Sequence, residues 1–293
     1  MQAEPHHHSP IASLDSNSTM GSKEATIASF IEAAPPGELI NVVNDIKTLA
    51  SDQPNLLNSL EPAFKRYNEE QYTTVKLPGS SEATIISQYN SLGDGRYFET
   101  ASQTSFAVDH ATQQASDTQQ HPLESQHADL IRSLLKSFST ASAEHFPSSS
   151  IGVYPISSDS AIALVLVANK YSPKNMWNGR WRSTYAFTPS SSTLSGTVKA
   201  DVHYYEDGNV RMSTSKELEL GVGLSGGSAE SVVREIAKAE NKFQEELNRA
   251  FGTLAEGSFK SLRRQLPVTR QKIEWEKLGS YRVGQDIGGG RSK

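Results

Sequence analysis

Cysteine is absent from all 293 residues of the sequence. Its absence excludes a disulfide framework, a zinc–thiolate centre and a cysteine nucleophile, and it is typical of proteins of a reducing compartment. Long apolar runs are missing as well, because the longest, Ala161 to Ala168, is far shorter than the roughly 20 residues of a membrane-spanning helix. The N-terminus, MQAEPHHHSP, has neither the basic nor the apolar region of a secretory signal. We therefore expect a cytosolic protein that does not cross a membrane.

Charge is distributed unevenly along the chain. The last 36 residues, 258–293, contain nine basic and three acidic residues, a net charge of +6, whereas the whole chain carries −5. A basic tail on an acidic body predicts a negatively charged partner for the tail. A solvated tail without a partner is the alternative. The low hydrophobic content, 36%, favours long exposed helices or polar tails over a single compact sphere.

Hydrophobic periodicity predicts an α+β fold. Helical stripes such as Leu39, Val42, Val43 and Ile46 precede short strands, and the best β pattern covers 151–223, where apolar and polar residues alternate. We interpret that region as an antiparallel meander with one face in water. The predicted units are a disordered N-terminal extension (1–22), a bundle of three short helices (23–70), a small β globule (71–110), a flexible loop (111–126), a helix with an antiparallel sheet (127–226), a long helix (227–264) and a basic C-terminal segment (265–293).

The long helix is too long for the predicted sheet. Its stripe runs from Ser228 to about Arg264, which corresponds to about 55 Å of helix at 1.5 Å per residue. A five-stranded sheet is only roughly 24 Å across at 4.8 Å per strand. One chain therefore does not cover its own helix.

Motifs for chemistry are few. Residues 221–226, GVGLSG, match G-x-G-x-x-G before a helix, but a dinucleotide site also needs a following parallel strand, and the predicted strand before the loop is antiparallel. We interpret the glycines as a strand-to-helix linkage, and a nucleotide-dependent enzyme is the less favoured alternative. The histidines lack metal-ligand spacing, and no nucleophile elbow or paired-carboxylate motif occurs. We predict no enzymatic activity, no cofactor and no metal.

The basic tail has the composition of an amphipathic anchor. Lys260 and Arg264 share one helical face, and Trp275 and Leu278 fall within one arc of a helical wheel that Lys272 flanks. Exposed Trp and Leu beside basic residues are typical of a helix that binds in a groove. A tail that folds back on its own body is the alternative.

Three segments resemble one family. Residues 177–183 (WNGRWRS), 202–210 (VHYYEDGNV) and 262–270 (LRRQLPVTR) are similar to the signature segments of the alpha subunits of heterodimeric F-actin capping proteins, and the resemblance extends over roughly 23–285. It implies an obligate heterodimer with a beta subunit, in which the two chains complete one antiparallel sheet and each long helix lies across both halves. It also implies that the N-terminal helices form a stalk and that the C-terminal segment is a mobile amphipathic tentacle.

The resemblance implies a function and a site. The function is calcium-independent capping of actin filament barbed ends, which blocks subunit addition and loss, in the cytoplasm, cytoskeleton and cortical actin structures. Anionic phosphoinositides would act as inhibitors, and nucleic acid is not a partner. The implied actin-binding residues are Lys260, Arg263, Arg264, Arg270, Lys272, Trp275 and Leu278. The glutamates at 274 and 276, where relatives usually carry Asp and Asn, depart from the pattern. The alternative function is a phosphoinositide-binding peripheral cytoskeletal adaptor without capping activity.

Overall fold

The computed structural model describes residues 16–53, 55–146, 148–206, 209–220 and 228–257. The described chain is a mixture of helices and antiparallel sheets, as predicted. The flexible loop predicted at 111–126, the boundary predicted at 22/23 and the end of the long helix predicted at 264 differ from the structure.

Four helices form the N-terminal part of the chain. They are α1 (Ser16–Glu32), α2 (Leu39–Leu49), α3 (Leu56–Ser59) and α4 (Glu61–Gln71). Ile31, Leu60 and Phe64 are at most 3% exposed and belong to a core that these helices share. The predicted third helix is in fact two, because Pro62 at the start of α4 has no N–H to continue a hydrogen-bond ladder.

The predicted disordered extension, 1–22, is wrong over its last residues. Helix α1 begins at Ser16 rather than after residue 22. The segment 16–22 is polar and has no apolar stripe, so periodicity gave no signal there. Extending an existing helix is much easier than nucleating one, so the amphipathic part of α1 can carry these residues. Residues 1–15 lie outside the described part of the chain.

Two small sheets follow the helices. Strands β1 (Thr74–Lys76) and β2 (Ala83–Ile85) pair with each other, and β3 (Ser91–Gly93), β4 (Arg96–Glu99), β5 (Thr104–Asp109) and β6 (Gln114–Gln120) form a four-stranded sheet in that order. Strand β6 corrects the predicted flexible loop over 111–126. Its residues, QASDTQQ, are mostly exposed, and antiparallel pairing with β5 and the 2.6 Å ion pair between Arg96 and Asp117 hold it in place. Backbone pairing rather than apolar burial forms this strand.

The largest sheet has five antiparallel strands in the order β11-β10-β9-β8-β7. They are β7 (Ser149–Ile156), β8 (Ala161–Ser172), β9 (Trp177–Thr188), β10 (Thr193–Tyr204) and β11 (Val210–Leu220). Each is joined to the next by a short connection, which confirms the predicted meander. Helix α5 (Ala128–His145) precedes the sheet and helix α6 (Ala229–Glu256) follows it.

The two faces of this sheet are covered by different parts of the chain. Helices α5 and α6 pack on the face that carries Trp181, Tyr185 and Phe187, which we call the helix face. The opposite face, which we call the polar face, carries Asn178, Arg180 and Arg182 of β9 and Asp201 and His203 of β10. All five are less than 9% exposed. The predicted water-exposed face is therefore partly covered, because the N-terminal helices lie on it.

Candidate functional site

The predicted actin-binding residues all lie outside the described part of the chain. They are Lys260, Arg263, Arg264, Arg270, Lys272, Trp275 and Leu278. The structure describes the element that leads to them: α6 begins after Ser228, whose side chain accepts a hydrogen bond from the backbone N–H of Ser231, and it ends at Glu256. The start of the helix agrees with the predicted one, but the predicted end at 264 is wrong. Helix α6 ends eight residues earlier, where Gly257, a poor helix former, is its C-cap residue. Its 28 residues correspond to about 42 Å.

Helix α6 crosses the sheet towards strand β11. Glu240 accepts a hydrogen bond from Tyr185 of β9 at 2.7 Å, and Phe243 lies with its ring centroid 5.5 Å from that of Trp181. Glu246, one turn further along, forms an ion pair with Lys216 of β11. The helix thus reaches β11, the last strand of the sheet, at Glu246, and it continues for about 15 Å beyond that residue.

The remaining part of α6 keeps its apolar stripe. Leu247 and Leu254 are half-buried, and Phe251 is 7% exposed. These residues continue the stripe of Val233, Ile236 and Phe243 further along the helix. Leu247 and Phe251 still pack on the main core of the chain, so only the last turn of α6, with the half-buried Leu254, leaves apolar surface for a further contact.

Strand β11 is an edge of the five-stranded sheet. It pairs with β10 over its whole length, from Leu194 opposite Leu220 to Tyr204 opposite Val210. Within the described ranges no strand lies on its other side. Along its eleven residues, the backbone N–H and C=O groups of about every second residue are directed away from β10 and form a template for a further strand.

The other edge strand, β7, is partly covered. The hydroxyl of Thr100 donates a hydrogen bond to the backbone carbonyl of Val153 at 2.7 Å, and strand β2 packs nearby. The two edges of the sheet therefore differ, and β11 is the one available over its full length.

Buried hydrogen bonds hold the N-terminal helices on the polar face. Arg180 donates to the side chains of Gln71 at 3.1 Å, Asn169 at 2.8 Å and Tyr171 at 2.6 Å. Asn178 donates to Glu38, the residue before α2, at 2.6 Å. These bonds join the sheet to the ends of α2 and α4.

An ion pair next to the open edge adds to this attachment. Asp201 of β10, 1% exposed, accepts from Arg211 of β11 at 2.5 Å and 3.0 Å. The same guanidinium donates to the carbonyl of Ala33, after α1, at 2.5 Å. The side-chain hydrogen bonds of Asp201 raise the pKa of Arg211 further above its ordinary value. Strand β11 is thus fastened to the N-terminal helices through its own side chain.

Arg182 is also buried on the polar face, but not all of its hydrogen-bond donors have partners. It is 7% exposed and donates from Nη1 to the backbone carbonyl of Glu70, and its Nε is buried without a hydrogen-bond partner. Burial, together with repulsion from Arg180, lowers its pKa to about 10. Sequence reasoning did not single out this polar face. The alternating polar residues 178, 180 and 182 within an otherwise buried strand were the available signal.

Other kinds of site find no support in the described residues. Strand β11 before the glycine loop is antiparallel, as predicted, and the loop itself, 221–227, lies outside the described part of the chain. Among the described residues, no group of three or more His, Asp or Glu side chains is arranged to hold a metal ion. None of the helices in the described ranges is both long and apolar enough to span a membrane.

Comparisons with known proteins agree with the resemblance of the sequence. The model of the family described as F-actin capping protein alpha subunit matches residues 27–286. The chain is 57% identical over 274 residues to the F-actin-capping protein subunit alpha of Neurospora crassa, covering 94% of this chain and all of that protein. It is 59% identical over 275 residues to that of Emericella nidulans, with 94% and 100% covered.

A solved structure shares the fold. It is that of a homodimeric actin capping protein alpha subunit from Plasmodium berghei, with a TM-score of 0.66 and 20% identity, covering 85% of this chain and 99% of that one. The signature segment at 177–183 lies in β9, at the centre of the sheet, and the segment at 202–210 includes the end of β10 next to the open edge. The extent of the family match and the identity to these relatives show that the chain belongs to the F-actin capping protein alpha subunit family.

Proposed function

We propose that this chain is the alpha subunit of a heterodimeric capping protein that binds the barbed ends of actin filaments and blocks subunit addition and loss there. The family match over 27–286 carries the proposal. Capping requires no metal in this proposal, so it is independent of calcium. The site of action is the cytoplasmic cytoskeleton, including cortical actin structures.

The open edge supports the assembly. In the proposed heterodimer a strand of the beta subunit pairs with β11, and the sheet continues from one chain into the other. The last turn of α6, with Leu254, lies on the partner's half of the sheet. Helices α1–α4 form a stalk, fastened to the polar face by the bonds of Arg180 and Arg211. This arrangement gives the surplus length of α6 a surface.

The basic tail supplies the proposed contact with actin. Lys260, Arg264 and Arg270 bind acidic surface on the terminal actin subunits, and Arg263 and Lys272 assist them. Trp275 and Leu278 bind in an apolar groove. Steering by the cations raises the association rate, whereas the buried apolar anchors slow dissociation. A subunit held in this way is blocked sterically from gaining or losing a neighbour.

Elongation of pyrene-labelled actin from filament seeds tests the function. The co-expressed heterodimer stops barbed-end growth, with the same half-maximal concentration in EGTA and in calcium. Replacing Lys260, Arg264 and Arg270 by Glu raises that concentration by about 100-fold or more, because each close charge pair at an interface contributes on the order of 1.5 kcal/mol or more. The matched control is Lys277, Arg282 and Arg291 replaced by Glu, which changes net charge equally and leaves capping within a few-fold of the wild type.

Three results would contradict the proposal. A heterodimer that leaves elongation unchanged would refute capping, and equal effects of the two triple variants would refute the assigned site. The third test measures binding to vesicles that contain anionic phosphoinositides, and it compares the intact complex with one that lacks residues 258–293. Tail-dependent vesicle binding by a complex without effect on actin would replace capping by a membrane-adaptor function. Vesicle binding that competes with capping would instead support phosphoinositides as inhibitors.

A further inference from the structure

A buried histidine joins the four-stranded sheet to helix α4. His110 follows the last residue of β5 and is 2% exposed, and its neighbours Asn68 of α4 and Tyr97 of β4 are fully buried. The Nδ2 atom of Asn68 lies 3.3 Å from Nδ1 of His110, and the hydroxyl of Tyr97 lies 3.2 Å from Nε2. One ring nitrogen therefore faces the helix, and the other faces the sheet.

Two further hydrogen bonds fix the orientation of the Asn68 amide. Its Nδ2 donates to the backbone carbonyl of His110 at 2.8 Å, and its Oδ1 accepts from Nε2 of Gln113 at 2.8 Å. A carbonyl oxygen only accepts, so the side-chain nitrogen of Asn68 must be the atom that faces it. The same nitrogen faces Nδ1 of His110, and an amide nitrogen only donates. Nδ1 of His110 must therefore carry no proton.

The other ring nitrogen then carries the proton of a neutral imidazole. Nε2 donates to the hydroxyl oxygen of Tyr97, and that hydroxyl donates in turn to Oε1 of Glu69 at 2.7 Å. Burial and the carboxylate of Glu69 raise the pKa of Tyr97, so its hydroxyl stays protonated and keeps its place as a donor. The hydrogen bonds thus run in one direction, from α4 through the imidazole to the sheet and back to α4.

A second proton on His110 is incompatible with these bonds. It would place an Nδ1–H group against the amide hydrogens of Asn68, so that two donors would face each other. Asn68 does not turn away, because its oxygen would then meet the carbonyl oxygen of His110. Both side chains are also too well buried for water to replace the lost acceptor. The contact between α4 and the sheet therefore requires a neutral ring.

The charged groups around the ring belong mainly to α4. The carboxylates of Glu61 and Glu69, together with that of Asp109 at the end of β5, favour a protonated ring, whereas the ammonium group of Lys65 opposes it. The titratable group that faces the ring from β4 is the Tyr97 hydroxyl. Burial has a larger effect than these charges, and it lowers the pKa of His110 below the ordinary value of 6.5.

We propose that His110 makes the junction between α4 and the four-stranded sheet sensitive to acid: the neutral ring holds the two together, and a bound proton releases them. The stability of the junction is complete above the ordinary pKa of 6.5 and is lost as the pH falls from there through the folded-state pKa. Histidine is the side chain suited to such a change near neutral pH. Every group of the network belongs to this chain, so failure of the proposed function would leave the inference standing.

Hydrogen exchange of the chain in complex with its co-expressed partner tests the junction. Peptides that cover the end of α4 (66–72) and strands β4 and β5 (96–110) are compared at about pH 7.5 and about pH 5.5, with correction for the pH dependence of exchange in an unfolded chain. Their protection should fall by about tenfold, because an opened histidine is protonated about ten to one at one pH unit below its pKa. Peptides of β9 should keep their protection. Unchanged protection in the first two segments, or an equal fall in β9, would overturn the inference.

Replacement of the histidine identifies the group responsible. In His110→Gln an amide nitrogen takes the place of Nε2 and donates to Tyr97, but the side chain binds no proton in this pH range. The protection of both segments should then be the same at the two pH values. The matched control is His121→Gln, since His121 lies beside the same sheet with its ring centroid 5.0 Å from that of Phe98. That variant should keep the tenfold fall, and a tenfold fall in His110→Gln would contradict the assignment.

A titration of the wild-type complex keeps the test independent of whether His110→Gln folds. NMR of nitrogen-labelled histidines distinguishes the two neutral tautomers from the charged ring. One histidine should hold the Nε2–H tautomer and should bind its second proton at lower pH than the exposed histidines. The inference would be overturned if every histidine of the complex titrated at the ordinary pKa.

Discussion

The two faces of the five-stranded sheet are buried by different chemistry. On the helix face, Trp181, Tyr185 and Phe187 are at most 1% exposed and belong to the main apolar core, to which the hydrogen bond from Tyr185 to Glu240 of α6 adds one buried polar contact. On the polar face, Arg180 and Asp201 are about as well buried, but their contacts to neighbouring strands and to the N-terminal helices are hydrogen bonds and ion pairs. Apolar burial drives folding without direction, whereas hydrogen bonds require defined geometry.

The difference suggests separate roles for the faces. The helix face supplies most of the free energy of folding, because apolar area removed from water contributes about 25 cal/mol per Å². The polar face contributes less net stability, since charges there lose their hydration, but it fixes the orientation of α1–α4 relative to the sheet. Substitutions on the two faces should therefore differ in size and in kind.

The largest effect is expected on the helix face. Trp181 is fully buried, with its ring 6.0 Å from that of Phe146 and 5.5 Å from that of Phe243. Trp181→Ala should lower the free energy of unfolding by about 3–5 kcal/mol, since the cavity left behind is large. Pulse proteolysis of the heterodimer in urea, with the intact chain quantified on gels, measures this loss.

An exposed aromatic residue provides the control for that measurement. Phe30 is 55% exposed, and Phe30→Ala should cost less than about 1 kcal/mol. A cost for Trp181→Ala that is no larger than that for Phe30→Ala would contradict the assignment of the main core to the helix face.

An intermediate and local effect is expected on the polar face. Asp201→Asn removes the charge that pairs with Arg211, and a hydrogen bond to a charged group contributes about 1.5–3 kcal/mol. Because the side chain of Arg211 is 32% exposed, the loss should lie near the lower figure. Arg211 also holds the carbonyl of Ala33, so amide hydrogen exchange should accelerate at the end of α1 and the start of α2.

The matched control is a similar ion pair on the solvent-exposed surface of the protein. Asp129 and Arg132 form a 2.8 Å pair on the surface of α5, and Asp129→Asn should change stability by less than about 0.5 kcal/mol. Uniform acceleration of exchange throughout the sheet in Asp201→Asn would show that the polar face carries global stability, contrary to the comparison.

The sequence predicted the helix face better than the polar face. The periodicity of Val232, Val233 and Ile236 located α6, and the alternation in 198–204 located β10, because burial against apolar surface leaves a period in the sequence. Arg180 and Arg182 alternate in the same way whether the face meets water or the polar ends of other helices. Pattern alone does not distinguish these two environments, so the prediction of a water-exposed face holds for its β11 side and is wrong only where the N-terminal helices cover β9 and β10.

Strand β6 shows a second limit of prediction from the pattern of apolar and polar side chains. It is polar throughout and is held by its pairing with β5, and a backbone ladder leaves no trace in side-chain periodicity. The candidate actin site was predicted from charge and composition in the tail and stays a prediction. The burial of Arg182 was not predicted, because it depends on the packing of α4 against β9 rather than on spacing along the chain.

The smallest effect concerns a buried acid on the helix face. Glu240 lies on the core side of α6, 5% exposed, and burial raises its pKa above the ordinary value of 4.5. The folded state then holds this proton more tightly than the unfolded state. Its contribution to stability is complete below pH 4.5 and is lost as the pH rises through the folded-state pKa. Glu240→Gln, which stays neutral, should therefore gain stability relative to the wild type between pH 4.5 and pH 8.

Glu246, two turns along the same helix, should show the opposite slope. Its hydrogen bond with Lys216 lowers its pKa, so the stability it contributes is present at neutral pH and is lost as the pH falls through the folded-state pKa. Glu246→Gln should thus lose stability relative to the wild type as the pH rises. Pulse proteolysis of both variants at several pH values between about 4 and 8 compares the slopes. If the stability of both variants relative to the wild type changed with pH in the same direction, Glu240 would be ionised and paired inside the core. The helix face would then be held by the same kind of contacts as the polar face.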